Sequence, residues 1–225
     1  YQIMDILTEH HRRVLVALGK SKLAGEIYFT GGTLLAYQYL QHRYSLDIDI
    51  FSDDLLDDIL VTKTMQDLTN TVGAKKLRYA KYPSRWQYFL EFEKDEIKCD
   101  IVYFPFPKAS GRFKLKEFNL TGDSLLDIAI NNVHACFERE SPRDAFDLYT
   151  ILQAKKWTLQ SLITGVEEKF GTSIDLVHLI ARLMASVELF DDLKPLFIGT
   201  PPKKKDLQDF FTALSVKHLK KNISY

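Results

Sequence analysis

The sequence has few cysteines, few prolines and glycines, and no excess of charge of either sign. Only two of its 225 residues are cysteines, Cys99 and Cys136, which are too few for a disulfide framework or a cysteine-rich zinc site. Its 7 prolines and 10 glycines are far from the composition of collagen-like or low-complexity chains. No apolar run approaches the length of about 18 residues that a membrane-spanning helix requires. These absences predict a folded cytoplasmic protein with buried thiols and no membrane segment.

The charge balance limits how the chain can contact nucleic acid. Thirty Lys and Arg side chains offset 30 Asp and Glu side chains, so the formal net charge is zero. A protein without a net positive field does not attract polynucleotides over its whole surface. We therefore expect any RNA contact to depend on a local basic surface. The hydrophobic residues, 46% of the chain, are enough for a substantial core.

The period of the hydrophobic pattern changes along the chain. In the first half, short β-branched and aromatic runs predict strands. These runs are residues 26–30, 46–51, 76–82, 85–93 and 97–104. Helices are predicted at 2–20, at 33–40 and, capped by Asp53, up to residue 72. From residue 124 onward the period is helical, and helices are predicted at 124–139, 142–154, 158–170, 173–190 and 204–221.

This order of elements predicts an α+β fold with two domains. Residues 1–122 would form a small mixed β-sheet core flanked by helices, with an N-terminal helix. Residues 123–225 would form a C-terminal helical bundle.

Three predicted helix starts carry a hydroxyl residue followed three places later by an acid, which is a capping box. The hydroxyl residues are Ser124, Ser141 and Thr172. We assign the acids of the first and last box, Asp127 and Asp175, to helix capping.

Two aspartates one residue apart, Asp47 and Asp49, form the first candidate site. In a strand this spacing puts both carboxylates on the same face, about 7 Å apart. One interpretation is an edge strand with a polar, solvated face. The other is a divalent-metal site, because carboxylate oxygens on a rigid element suit Mg²⁺ and the cation removes their repulsion.

Two further features favour the metal site. Asp100 stands in an otherwise apolar strand, where an ionised carboxylate is costly unless it is paired or bound to a metal. Gly31 and Gly32 follow one strand and open a helix, whose free N–H groups and dipole favour phosphate. Together these features form one order along the chain: strand, Gly-Gly, helix, strand with Asp-x-Asp, later strand with one Asp.

These motifs resemble a known family. Residues 29–36 (FTGGTLLA) and 43–51 (RYSLDIDIF) are similar to the signature of the AbiEii/AbiGii-type nucleotidyltransferases, a branch of the DNA polymerase β-like superfamily. The resemblance extends through residues 143–149 (RDAFDLY) and covers about residues 26–152. It implies transfer of a nucleoside monophosphate from an NTP to an acceptor hydroxyl, in some members on tRNA or other RNA. It also implies a toxin role in toxin–antitoxin or phage-defence systems, with an antitoxin protein as partner.

The resemblance implies roles for four acidic residues. Asp47 and Asp49 would bind Mg²⁺ or Mn²⁺ and, through it, the triphosphate. Asp100 would hold the metal nearest the acceptor and help to deprotonate it. Asp144 would contact the nucleotide or position a basic neighbour.

The same resemblance assigns the nucleotide to the segment around the glycines. Gly31, Gly32 and Thr33 would cradle phosphate oxygens with backbone N–H groups and a hydroxyl. Arg43 and Ser45 would reach a phosphate or fix the loop before the acidic pair.

One position departs from the family pattern. Members usually have a lysine near Asn131 or Asn132, where it would meet the triphosphate. Asparagine donates hydrogen bonds but brings no charge to the leaving-group oxygens. Lys98, Arg139 and Arg143 are the candidates to replace it.

Two other functions stay open at this point. Antibiotic nucleotidyltransferases share the glycine turn and Asp-x-Asp, so one alternative acceptor is a small hydroxylated molecule such as an aminoglycoside. An acidic acceptor cleft would favour that alternative over RNA. The absent lysine also permits a catalytically weak module that binds nucleotides or a protein partner.

Overall fold

The computed structural model describes residues 5–223, and it describes their side chains except at positions 195 and 217–223. The chain divides into two compact units, of which the first ends at Leu125 and the second begins at Leu126. The domain boundary expected after residue 122 stays a prediction, because compactness alone does not make a unit fold independently. Among the described residues, no helix is both long enough and apolar enough to cross a membrane.

A seven-stranded sheet forms the centre of the first unit. Its strands are β1 (Tyr28–Thr30), β2 (Asp47–Ser52), β3 (Lys76–Tyr82), β4 (Arg85–Glu91), β5 (Glu96–Tyr103), β6 (Phe113–Leu115) and β7 (Leu120–Gly122). Their order across the sheet is β3-β4-β5-β2-β1-β7-β6. Strand β2 runs parallel to β5 and β1 parallel to β7, whereas the other neighbours are antiparallel. The predicted mixed sheet is confirmed.

Helices flank the sheet in the first unit and make up the second. The first unit contains α1 (Glu9–Lys20), α2 (Gly31–Leu34), a π-helix (Leu35–Leu40) that continues α2, and α3 (Asp58–Val72). The helices that follow are α4 (Leu125–Glu138), α5 (Pro142–Ala154), α6 (Leu159–Phe170), α7 (Leu176–Glu188), a 3₁₀ helix (Phe190–Leu196) and α8 (Lys204–Ile223). The predicted α+β class, with strands first and helices after, is confirmed.

The two faces of the sheet differ in polarity. Ile48, Ile50 and Ile101 alternate along β2 and β5 with polar residues and have no exposed surface. Helix α3 covers this apolar face, where Trp86 Nε1 donates a hydrogen bond to Asp58 at 2.9 Å. Because successive side chains of a strand point to opposite faces, the acidic residues of β2 lie on the other side.

Two predicted helix starts in the first unit are wrong, and in each case a different residue provides the cap. Helix α1 begins at Glu9 because the Thr8 side chain accepts the His11 N–H, and residues 2–4 lie outside the described residues. Helix α3 is capped by Asp57, which accepts the Leu60 N–H at 2.7 Å. The predicted cap, Asp53, instead accepts both guanidinium nitrogens of Arg112 at 2.7 Å.

The sequence analysis missed β6 and β7. Each has three residues, which is too short for a period of two to be recognised. Strand β7 nevertheless extends the sheet beyond β1 and leads into Asp123, whose N–H donates to the Phe29 carbonyl at 2.9 Å.

In the second unit the caps predicted at Ser141 and Asp175 are confirmed, whereas Thr172 does not cap α7. Ser141 caps α5, and its hydroxyl accepts the Asp144 N–H at 3.3 Å. Asp127 is fully buried and accepts a hydrogen bond from Lys169 Nζ at 2.8 Å, so it forms a buried ion pair with that lysine. Helix α7 is capped by Asp175 itself and not by Thr172.

Both cysteines are buried and unpaired with each other, as the sequence predicts. Burial raises the pKa of the Cys99 thiol and of the Cys136 thiol, because a thiolate loses its hydration there. Both groups therefore stay protonated at neutral pH.

A buried histidine joins α1 to the start of β2. His11 Nε2 donates to the Leu46 carbonyl at 3.0 Å, directly before the acidic strand. Its Nδ1 accepts the Thr8 N–H at 3.3 Å, so the ring is held in the neutral form. Burial lowers the pKa of His11 below its ordinary value of 6.5.

We expect His11 to make the folded state less stable in acid. Its pKa is lower when folded than when unfolded, so its contribution is complete above pH 6.5 and is lost as the pH falls through the folded-state pKa. Between pH 7.5 and 5 the free energy of unfolding should fall more steeply in the wild type than in His11→Gln. Urea denaturation at several pH values measures both slopes, and equal slopes would contradict the prediction.

Candidate active site

Three carboxylates occupy one face of two adjacent strands. Asp47 and Asp49 are one residue apart on β2, and their side chains are half-buried. Asp49 lies opposite Asp100 in the parallel pairing of β2 with β5. Residues directly opposite each other share a face, and neighbouring strands are about 5 Å apart. The sheet therefore brings together the three aspartates that the sequence analysis selected as metal ligands.

Lys98, which the sequence analysis did not assign to the carboxylate cluster, lies within it. Lys98 stands opposite Asp47 in the same pairing, and its Nζ lies 3.4 Å from Asp47 Oδ2 and 3.0 Å from Asp100 Oδ2. Partial burial disfavours its charged form, but the hydrogen bond to Asp100 and the charges of the aspartates outweigh that effect. Together they raise the pKa of Lys98 above its ordinary value.

Gln87 on β4 is a residue of the site that the sequence analysis missed, whereas Lys98 was named there as a candidate to replace the expected lysine. It lies opposite Asp100 in the antiparallel pairing of β4 with β5, and its Nε2 donates to Asp100 Oδ1 at 3.0 Å. Asp100 is 6% exposed, and each of its carboxylate oxygens has a donor. The available signal was the period of two: Gln87 alternates with Trp86 and Tyr88, which are buried on the apolar face.

The cluster has the oxygen ligands that Mg²⁺ and Mn²⁺ prefer. Within residues 5–223, however, no group of three or more His, Cys, Asp or Glu side chains is arranged to hold a metal ion. The ammonium group of Lys98 lies between the carboxylates and supplies positive charge there. The residues therefore fit a divalent cation in their chemistry, and the position of Lys98 is the feature that must change when one binds.

The glycine turn lies against Asp49. Gly31 has a φ of +74°, and a Cβ atom at this position would lie 2.1 Å from Asp49 Oδ2. Thr30, which precedes the helix, gives it no side-chain cap, because its hydroxyl donates to Asp123 Oδ2 at 3.0 Å. The first backbone N–H groups of the helical segment 31–40, including that of Gly32, therefore lie beside the carboxylate cluster. The Thr30 side chain does not cap them.

Thr33 and Ser45 are buried beneath the start of β2. The Thr33 hydroxyl donates to the Asp47 carbonyl and lies 2.7 Å from Ser45 Oγ. Arg43 is 3% exposed, and its Nη1 donates to the Tyr44 carbonyl at 3.0 Å. These contacts connect the three residues to the backbone that presents the acidic pair.

Asp144 lies in the second unit, in the first turn of α5. Its N–H is capped by Ser141, and its Oδ2 accepts a hydrogen bond from Arg139 Nε at 2.7 Å. Asn131 and Asn132, the positions where the resemblance leads us to expect a lysine, lie on α4. The Oδ1 atom of Asn131 is buried and has no hydrogen-bond partner among the described residues.

Comparison with known proteins identifies the family. The profile described as nucleotidyl transferase AbiEii toxin, type IV TA system, matches residues 13–216. The chain belongs to the AbiEii nucleotidyltransferase toxin family. Membership makes it a nucleotidyltransferase of a toxin–antitoxin system, which implies a nucleoside triphosphate as substrate and an antitoxin as partner.

The similar proteins found for this AbiEii-family chain are distant from it in sequence. An uncharacterized protein of Aquifex aeolicus (strain VF5), aq_aa25, is 24% identical over 220 residues, which are 92% of this chain and 95% of that protein. The crystal structure of JHP933 from Helicobacter pylori superposes with a TM-score of 0.62 at 17% identity, covering 96% of each chain. The nucleotidyltransferase toxin MenT4 from Mycobacterium tuberculosis H37Rv gives a TM-score of 0.44 at 16% identity, covering 85% of this chain and 66% of that one. The similarity to JHP933 shows that the fold is shared.

Three glycine variants test whether the turn must lie against Asp49. Gly73→Ala introduces only the strain of a left-handed backbone, because its φ is +75° and nothing lies within 4 Å of the added Cβ. Gly31→Ala adds a collision with Asp49 to the same strain. We expect losses in the free energy of unfolding of about 1 kcal/mol for Gly73→Ala and about 3 kcal/mol for Gly31→Ala.

Gly111→Ala is the neutral control, since its Cβ would meet nothing within 4 Å. Urea denaturation measures all three variants. Equal losses for Gly31→Ala and Gly73→Ala would show that the contact with Asp49 does not constrain the turn.

Proposed function

We propose that the chain transfers a nucleoside monophosphate from an NTP to a hydroxyl group of RNA, with tRNA as the preferred class, in a reaction that depends on Mg²⁺ or Mn²⁺. The observation that carries this proposal is the juxtaposition of Asp47, Asp49 and Asp100 on one sheet face beside an uncapped glycine turn. A cation site next to an anion site is what a metal-bound triphosphate requires.

The carboxylates bind the cation, and the glycine turn binds the phosphates. Asp47 and Asp49 hold the cation, which when bound neutralises the triphosphate and polarises the reacting oxygens. The backbone N–H groups of Gly31 and Gly32 donate to phosphate oxygens, and the dipole of the helical segment 31–40 favours their charge. Asp49 contacts both parts, since it lies against Gly31.

Asp100 would hold the metal nearest the acceptor and receive the proton of the acceptor hydroxyl. As that proton leaves, the acceptor oxygen bonds to the α-phosphorus, and the bond from this phosphorus to the β-phosphate bridging oxygen breaks to release pyrophosphate. Gln87 fixes the Asp100 carboxylate by donating to Oδ1 at 3.0 Å. Asp100 thus takes part in the chemistry, and Gln87 positions Asp100.

Thr33, Arg43 and Ser45 act through the backbone in this proposal. All three are buried, and Thr33 donates to the Asp47 carbonyl. This arrangement favours fixing the loop before the acidic pair over direct contact with phosphate. Asp144 similarly positions Arg139, the basic side chain with which it forms an ion pair.

A basic groove on the α3 side of the sheet, opposite the carboxylate face, supports contact with the body of an RNA acceptor. A cavity of about 400 Å³ lies in a groove bordered by α1 and α3, and Lys20, Lys22 and Lys63 line it together with one acid, Asp67. The three lysines are exposed and have no carboxylate partner within 4 Å among the described residues. This local basic surface, on a chain with zero net charge, suits a phosphate backbone better than a cationic aminoglycoside.

The carboxylate cluster is tested by Asp49→Ala. We expect loss of nucleotide incorporation with the fold retained, because the metal-binding pair is broken while the strand remains paired on both sides. Labelled NTPs with total cellular RNA give the readout, and circular dichroism verifies the fold. Asp209→Ala removes an exposed carboxylate on α8, outside both the carboxylate cluster and the basic groove, and should leave incorporation unchanged. Retained incorporation in Asp49→Ala would refute the assignment of the site.

The acceptor is tested by neutralising the basic groove. In the triple variant Lys20→Gln, Lys22→Gln, Lys63→Gln we expect incorporation into RNA to fall roughly tenfold at 0.15 M salt, with a weaker salt dependence, because fewer counterions are released. Nucleotide binding, measured by calorimetry, should not change.

The matched control replaces three exposed lysines elsewhere in the chain. These are Lys108, Lys155 and Lys156. If the control and the groove variant label RNA equally well, the groove does not bind the acceptor.

A further inference from the structure

Lys98 is the one basic side chain that the sheet pairing places directly among the acidic cluster within the described residues. Its Nζ lies 3.0 Å from Asp100 Oδ2 and 3.4 Å from Asp47 Oδ2, which belong to two different strands. The third aspartate, Asp49, is also close enough to interact with it electrostatically. One ammonium group thus serves carboxylates that a divalent cation would otherwise bridge.

A lysine ammonium and a metal ion compete for such oxygens. Mg²⁺ needs carboxylate oxygens at about 2.1 Å, and a second positive charge a few ångströms away repels it. The described arrangement contains no group ready to hold a metal, and Lys98 occupies the space between the oxygens. The lysine must therefore move before the cluster can bind a cation.

The Lys98 side chain is able to move. This side chain is 29% exposed, whereas the side chain of Asp100 beside it is 8% exposed, and four methylene groups give the lysine a wide reach. The Lys98 ammonium group can leave the carboxylates without electrostatic cost only if another anion becomes its partner. A triphosphate at the neighbouring glycine turn brings that anion to the same face of the sheet.

We propose that Lys98 is an internal counter-ion that keeps divalent metal out of the carboxylate cluster until an NTP arrives. The triphosphate accepts Lys98 and frees the oxygens of Asp47 and Asp100, so metal and nucleotide bind together and neither binds well alone. The inference rests on the proposed function of this site and concerns its regulation. It also gives the chain a mobile cation near the phosphates.

The test is Mn²⁺ binding without any nucleotide. Lys98→Met keeps the length and volume of the side chain and removes its charge. We expect Lys98→Met to bind Mn²⁺ at least tenfold more tightly than the wild type, measured by calorimetry and by the loss of the free Mn²⁺ electron paramagnetic resonance signal. Equal or weaker binding in Lys98→Met would overturn the proposal.

Three controls locate the effect. Lys98→Arg keeps the charge and should bind Mn²⁺ as weakly as the wild type. Lys75→Met removes a lysine paired with Glu93 at 3.1 Å on the surface, and it should also match the wild type. The double variant Lys98→Met, Asp49→Asn should lose the tighter binding, because its metal would be held by the cluster. Tight binding that survives in the double variant would place the metal elsewhere and overturn the proposal.

A second readout covers the case in which Lys98→Met folds poorly. Without the lysine, the carboxylates repel each other, so Mn²⁺ should raise the melting temperature of Lys98→Met, or of Lys98→Gln, by more than it raises that of the wild type. Equal shifts would overturn the proposal.

The experiments can contradict the proposed function without contradicting this inference, and the reverse. If wild-type protein incorporates labelled NTP into RNA but Lys98→Met binds Mn²⁺ no more tightly, the enzyme assignment stands and the counter-ion role is wrong. If Lys98→Met binds Mn²⁺ tightly but wild-type protein incorporates nothing, the counter-ion role stands and the transfer reaction is wrong.

Discussion

Carboxylates packed on neighbouring strands repel one another, and the first unit of this chain is arranged around that repulsion. Two unit charges about 5 Å apart cost about 3 kcal/mol at the effective dielectric of a protein surface. Asp49 and Asp100 face each other across β2 and β5, and Asp47 adds a third charge two residues away. Lys98 offsets these charges, Gln87 holds one oxygen of Asp100, and the turn at Gly31 leaves room for Asp49. A site of this kind is stable only with a cation, and the protein carries one of its own.

The acidic face could be predicted from the sequence because it follows from local rules. Asp47 and Asp49 must share a face in any strand, and an aspartate in the apolar strand 97–104 had to be compensated. The partners were not predictable, since Lys98 and Gln87 reach Asp100 only through the register of three strands. Register depends on tertiary pairing rather than on the composition of one segment.

The errors in helix starts have a similar origin. Acidic residues at 53, 57, 127 and 175 all look like caps in the sequence. Asp57 and Asp175 are caps, whereas Asp53 and Asp127 bind Arg112 and Lys169. The Asp127–Lys169 pair joins α4 to α6 with both side chains at most 5% exposed. Removing one member of such a pair leaves an uncompensated buried charge, so its main effect falls on the stability of the second unit.

The position of Cys99 has a consequence for the durability of the site. Its side chain lies on the apolar face of β5, one residue before Asp100, and burial keeps its thiol protonated. Peroxides and electrophiles react with thiolates, so this sulfur is a poor target for both. Oxidation of this sulfur is therefore a disfavoured route to damage of the acidic strand.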